Sequence, residues 1–278
     1  ILDDNLYLLN TSSLKWTVAP PTGPRPSGRY GHTISTIGSI LYVFGGQLDD
    51  YFFDDLICYD LNTLQSENSH WTFITPTSRS PPPRTNHTIV TYQDKLYLFG
   101  GTDGKLWYSD TWVYDPLANS WSSLECTGFV PAPCEGHSAT IIGDIMYVFG
   151  GRSAGGKDLG TLSALKISAR KWFSFQNMGP APSPRSGHSM TAFGGHKILI
   201  MGGESPELDP ENPNAYVNEE ESNNVVYVLD TSRISYPPSA NDPLSEKPIE
   251  DRSVQQSQQV QQQQQMQQQK IPISYTKD

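Results

Sequence analysis

Charge is scarce in this chain: Asp, Glu, Lys and Arg make up 17% of its 278 residues, against 23 Gly and 22 Pro. That balance suits many short strands joined by turns better than helices. Base is the scarcer sign, with 19 Lys and Arg against 29 Asp and Glu, a net charge of −10. Binding a phosphate backbone needs clustered cations, so the excess of acid argues against nucleic acid and equally against an anionic membrane surface. No apolar run approaches the roughly 18 residues that a membrane-spanning helix needs. Cysteine is limited to Cys58, Cys126 and Cys134, too few and odd in number for a disulfide framework, which predicts a reducing compartment. Two glycosylation sequons begin at Asn10 and Asn86. The second lies inside a repeated motif where a glycan would obstruct packing, so both are read as chance.

What the chain does have is repetition. "ILYVFGG" at 40 to 46 returns as "KLYLFGG" at 95 to 101, "IMYVFGG" at 145 to 151 and "KILIMGG" at 197 to 203. The glycine pairs are Gly45 and Gly46, Gly100 and Gly101, Gly150 and Gly151, and Gly202 and Gly203, spaced by 55, 50 and 52 residues. Trp16, Trp71, Trp121 and Trp172 follow the same period, and each stands 16 residues before one of His32, His87, His137 and His188. Between a His and its glycines lie two strand-like runs joined by a short turn. A third run carries Tyr59, Tyr114, Leu165 or Leu229, and the Trp opens a fourth. Each unit of about 50 residues is therefore four antiparallel strands, a to d, and only a radial array of such sheets buries both faces of each one. The fold predicted is an all-β propeller. Paired glycines are expected where strand b turns sharply, because they permit positive φ and close backbone approach. The histidines recur once per blade, which points to a structural hydrogen bond rather than to metal or catalysis.

The order Arg-x-Gly-His, apolar strand, Tyr-Val-Phe-Gly-Gly, Tyr-Asp, Trp resembles the kelch repeat. Stretches such as "PPPRTNHTIVTYQDKLYLFGGTDG" and "KWFSFQNMGPAPSPRSGHSM" are similar to the kelch domain of fungal cell-end marker and polarity proteins. The likeness covers residues 1 to about 238. By spacing, the chain opens with strands c and d of one blade and continues with four repeats, at about 30–75, 85–125, 135–176 and 186–238, the last with Tyr236 at the Trp position. That makes about four and a half blades, and the resemblance implies a propeller closing with six or seven, with blades upstream.

Strand b returns to the end where strand a began, so the d–a and b–c loops are expected on one face. There the d–a loops carry Arg29, Arg84 and Arg185, with Cys134 at the matching place in the third blade. The b–c loops add Tyr51, Phe52, Phe53, Trp107, Tyr108 and Arg152. Basic and aromatic residues on loops of a rigid scaffold suit partner binding, and three arginines together would suit an acidic segment. The alternative is that the arginines brace the loops and the aromatics cover blade edges. The fourth b–c loop is longer, with seven acids and no base between Glu204 and Ser222.

Residues 239–278 read as a disordered Pro- and Gln-rich tail or linker, with 12 Gln between 255 and 269 and no heptad. The resemblance implies a non-enzymatic protein-binding scaffold in cell polarity and morphogenesis, cytoplasmic and at the cell cortex or growing tip, with polarity or cytoskeletal partners. It also implies a coiled coil further downstream and oligomerisation through segments outside this stretch. No cofactor or metal is expected. Two other functions use the same repeats: a secreted copper oxidase of the galactose oxidase type and a substrate adaptor of a ubiquitin ligase. The first needs Tyr, Cys and His ligands outside the repeating positions, and only His70 and His196 stand outside them. The second needs a recruiting domain.

Overall fold

The apolar run ahead of each of the first three glycine pairs is a strand buried on both faces, its alternate residues entering different cores, whereas the fourth buries only the face of Ile198 and Ile200. The computed structural model describes residues 2–19, 22–178, 181–204, 208–209, 212–216, 225–236 and 272–277. In the first blade, strands a (Thr33–Ile37), b (Ile40–Phe44), c (Leu56–Asp60) and d (Trp71–Ile74) form an antiparallel meander. The second blade repeats it with Thr88–Tyr92, Lys95–Phe99, Thr111–Asp115 and Ser120–Ser123. The third does so with Ser138–Ile142, Ile145–Phe149, Leu162–Lys166 and Lys171–Met178. Ahead of them, Leu6–Asn10 pairs with Lys15–Ala19 as the c and d strands of a half blade. This is the β-propeller arrangement that the repeats predict.

The cores lie between blades. Tyr42, Phe44 and Leu56 of the first blade pack with Leu96, Leu98, Tyr114 and Trp121 of the second. Tyr97 and Phe99 then face the third blade, meeting Met146, Val148, Leu165 and Trp172. Tyr147 and Phe149 face the fourth, meeting Ile198, Ile200 and Leu229. Across the c–d ladder the marker of strand c pairs directly with the tryptophan: Tyr59 with Trp71, Tyr114 with Trp121, Leu165 with Trp172. Each indole also reaches back to the preceding blade, with ring centroids 5.1 Å apart for Phe44 and Trp121 and 4.9 Å for Phe99 and Trp172. Trp16 has no preceding blade among the described residues and is 66% exposed, whereas Trp172 is fully buried.

The glycine pairs have a specific task. In the first three, the first glycine's N–H bonds the start of strand c, and the second's bonds the carbonyl of the next blade's d–a loop: Gly46 to Arg84 at 2.8 Å, Gly101 to Cys134 at 2.9 Å, Gly151 to Arg185 at 2.8 Å. A Cβ on Gly150 would stand 2.5 Å from the Arg185 carbonyl oxygen, so the next blade leaves no room for a side chain. Positive φ, +70° at Gly150 and +97° at Gly151, adds a second reason for glycine.

The fourth blade departs from expectation. Its strands a (Ser189–Phe193), b (Lys197–Met201) and c (Val226–Asp230) follow the repeat. Tyr236, expected to open strand d, instead follows a short 3-10 turn (Thr231–Arg233) and lies in no strand. Its ring still packs against Phe173 and Phe175 of the preceding blade. The backbone place beside c is taken by Pro272–Lys277, which pairs antiparallel with c and parallel with the end of Lys171–Met178. An open strand edge carries unpaired N–H and C=O groups, and a remote segment satisfies them here. Of the expected tail, residues 239–271 and 278 lie outside the described residues. So does most of the acidic loop, of which Leu208–Asp209 and Asn212–Tyr216 form a small hairpin. No helix among the described residues is long and apolar enough to cross a membrane.

Candidate functional site

The d–a and b–c loops share one face, tied blade by blade through short antiparallel bridges: Tyr30 with Gln47, Thr85 with Thr102, Glu135 with Arg152, Ser186 with Glu204. The residue just before each histidine has left-handed backbone, with φ of +67° at Gly31, +54° at Asn86, +62° at Gly136 and +68° at Gly187. That conformation turns each N–H towards the preceding blade. Asn86 donates to Gly31, Gly136 to Asn86 and Gly187 to Gly136, at 2.8, 2.9 and 2.8 Å. A backbone arc thus runs around the propeller axis at this face.

The arginines expected to meet an acidic partner do not reach solvent. Arg84 and Arg185 are fully buried and Arg29 is 9% exposed. Arg29 forks onto Asp55 at 2.5 and 3.0 Å and onto the Gly45 carbonyl at 3.0 Å. Arg84 does the same with Asp110 at 2.7 and 3.0 Å and with Gly100 at 2.9 Å. Arg185 donates to the Gly202 carbonyl at 2.8 Å and to Ser183. Phe53 and Tyr108 cover the guanidinium planes of Arg29 and Arg84 at 3.7 and 4.1 Å. Burial of the Tyr108 phenol, reinforced by its hydrogen bond to Asp103, pushes its pKa up to about 12. Arg29 and Arg84 are spent on a carboxylate and a carbonyl of their own blade, Arg185 on a carbonyl and Ser183, and Phe53 and Tyr108 on covering the first two, so these five residues brace the loops.

The rest of the expected set does lie on the surface. Tyr51 is 64% exposed and meets the Phe53 ring edge-to-face. Phe52 is half-buried and lies against Gly104 of the next blade's b–c loop. Trp107, also half-buried, donates its indole N–H to Glu135 at 3.1 Å. Arg152 is held by Asp158 at 3.0 Å and by Glu204 at 3.1 Å. Beside them opens a cavity of about 330 Å³, lined by Asn86, Glu135, Arg152, Ser186, Gly187 and Glu204 among others.

Two of the repeat histidines make the expected hydrogen bond across a blade interface, whereas His188 meets the Phe149 ring edge-on and neither of its buried ring nitrogens has a partner among the described residues. His87 pairs with Thr33 and His137 with Thr88 of the preceding blade, each at 3.0 Å, and their rings meet Phe44 and Phe99 edge-on. Burial is the first cause that holds His137 and His188 down to about 4 and His87 well below its ordinary value. All three are neutral at pH 7. Among the described residues no group of three or more His, Cys, Asp or Glu converges as a metal site would.

The family model for the KLHDC2/KLHL20/DRC7 Kelch-repeats domain matches residues 2–203. The chain belongs to the kelch-repeat family. Among kelch relatives, Tip elongation aberrant protein 1 of Schizosaccharomyces pombe is 46% identical over 231 residues, covering 83% of this chain and 19% of the relative. Kelch repeat-containing protein 2 of Saccharomyces cerevisiae is 43% identical over 246 residues, covering 84% of this chain and 28% of the relative. Acyl-CoA-binding domain-containing protein 4 of Arabidopsis thaliana is 29% identical over 70% of this chain. The chain thus spans between a fifth and a third of the length of these kelch proteins. Within the kelch motif, reading by sequence passed over Glu135, Ser186 and Asn86. The signal was present: the x of Arg-x-Gly-His is Tyr30, Thr85, Glu135 and Ser186 in turn, different in every blade, whereas the Arg changes only to Cys134 and the Gly only to Asn86.

Proposed function

We propose that this kelch domain is a non-enzymatic protein-binding scaffold that acts in polarised growth at the cell cortex or tip, and that its partner docks on the face carrying the d–a and b–c loops. The observation that carries the reading is the setting of Tyr51, Phe52 and Trp107. These aromatics are partly exposed on loops whose backbone is pinned by buried Arg–Asp forks, so they present large apolar surface at low entropic cost. The two fungal relatives support the cellular setting, one being named for tip elongation. Partners are polarity or cytoskeletal proteins.

The test is affinity capture from a fungal host with the full-length protein and its Tyr51→Ser, Phe52→Ser, Trp107→Ser variant, together with imaging of both as fluorescent fusions. The variant is expected to keep its melting temperature and to lose both its partners and its concentration at cell ends. Retention of both by the folded variant would overturn the assignment of this face.

A further inference from the structure

The loop face offers a partner carboxylate, not the guanidinium that its motif arginines suggest. Glu135 is half-buried, and its carboxylate accepts from two neutral donors, Asn86 Nδ2 at 3.0 Å and Trp107 Nε1 at 3.1 Å. No cation pairs with it among the described residues. Both donors are uncharged and orient the group towards the 330 Å³ cavity without pairing it with a cation. Glu204, 75% exposed at its side chain, stands on the same cavity. Arg152, the cation there, is already shared between Glu204 and Asp158, whose side chain is only 5% exposed. Two glutamates and one aspartate around one arginine leave a net negative rim.

A second observation points to a ligand. Ser186 is 92% buried, lines the cavity, and its hydroxyl finds no hydrogen-bond partner among the described residues. Beside it the Gly187 carbonyl closes the axial arc at its open end. An oriented carboxylate, a free hydroxyl and a carbonyl within one cavity form an acceptor set for a planar group with several N–H donors. We infer that this cavity receives an arginine side chain from a basic segment of the docked protein, Glu135 taking its charge. The inference rests on the scaffold reading above and gives its partner a chemistry. The net charge of −10 would draw such a segment towards the propeller.

The experiment uses the full-length protein in solution and two biotinylated peptides, Gly-Ser-Arg-Ser-Gly and the same peptide with citrulline for arginine, displayed densely on streptavidin. Binding is read by interferometry at about 0.1 M salt, where the screening length is about 10 Å. The arginine peptide is expected to bind and the citrulline peptide to bind at least about tenfold more weakly, as loss of a charge-assisted pair predicts. Glu135→Gln should lose most of that difference and Glu204→Gln part of it, while Asp94→Asn, on a turn at the opposite face, should keep it. Equal binding of the two peptides, or a Glu135→Gln protein that folds and still discriminates between them, would overturn the inference. If that happens while the aromatic variant still loses its cellular partners, the scaffold reading stands and only the partner's chemistry is wrong.

Discussion

The second and third blades solve the same problem in opposite ways. In the second, Arg84 forks onto Asp110 and the Gly100 carbonyl under the Tyr108 ring. In the third, Cys134 and Thr161 hold the corresponding backbone places: Cys134 accepts from Gly101 as Arg84 does from Gly46, and Gly150 donates to Thr161 as Gly100 does to Asp110. The charged pair has gone as a pair, and a cavity of about 70 Å³ remains between Cys134, Gly150, Leu159 and Thr161. Arg84 without Asp110 would be a buried charge without its counter-ion, which costs more than losing both. The backbone links survive the exchange, so the fork reinforces the loop and is not what creates it.

Breaking the fork on one side should have the largest effect. Arg84→Ala empties a fully buried slot and removes the bonds to Gly100 and Asp110, and is expected to cost about 3–5 kcal/mol, read by calorimetry of the full-length protein. The double change Arg84→Cys, Asp110→Thr, which copies the third blade into the second, should recover at least half of that loss; no recovery would mean that the blades differ in more than this pair. The reverse graft gives the next largest effect. Cys134→Arg alone should destabilise by roughly 1–3 kcal/mol through an unpaired buried cation, and adding Thr161→Asp should restore stability.

Acid sharpens the comparison further. His137 and His188 take protons only near pH 4 in the folded state and near 6.5 when unfolded. Between those values the unfolded chain binds more protons, so stability must fall as pH falls, by up to about 1.4 kcal/mol per pH unit for each histidine. Burial precedes Arg84 among the causes at His87. The Arg84→Cys, Asp110→Thr protein should therefore show the same slope as the parent in a pH series of melts, and a flatter slope would give Arg84 the larger share. The smallest effect concerns the thiol. Cys134 is 1% exposed and burial pushes its pKa up to about 12, so it should alkylate more slowly in the native state than the half-buried Cys58 and Cys126, as mass spectrometry would show.

The propeller was legible because its markers are imposed by the joints between blades. Gly150 must lack a side chain where the next loop crosses it, and Trp121 must be large to bridge two sheets, so spacing alone exposes both. The site was less legible. Spacing located Arg29, Arg84 and Arg185 on the correct loops but carries nothing about which way a long side chain folds back, and all three turn inward. Asp55 and Asp110 lie in b–c loops far along the chain, so the forks are invisible without the register that aligns those loops. At Tyr236 the count to the Trp position matched and its ring keeps the place against Phe173 and Phe175, yet the strand beside c is Pro272–Lys277, a segment remote in the sequence that counting residues does not detect.

The arc of amides through Gly31, Asn86, Gly136 and Gly187 sets the spacing of successive d–a loops without using side chains. Of the neighbouring positions, Glu135 and Ser186 line the cavity, whereas Thr85 is buried and donates to the Tyr30 carbonyl. A change of side chain at Glu135 or Ser186 therefore redraws the rim of that cavity while the backbone links between blades stay as they are.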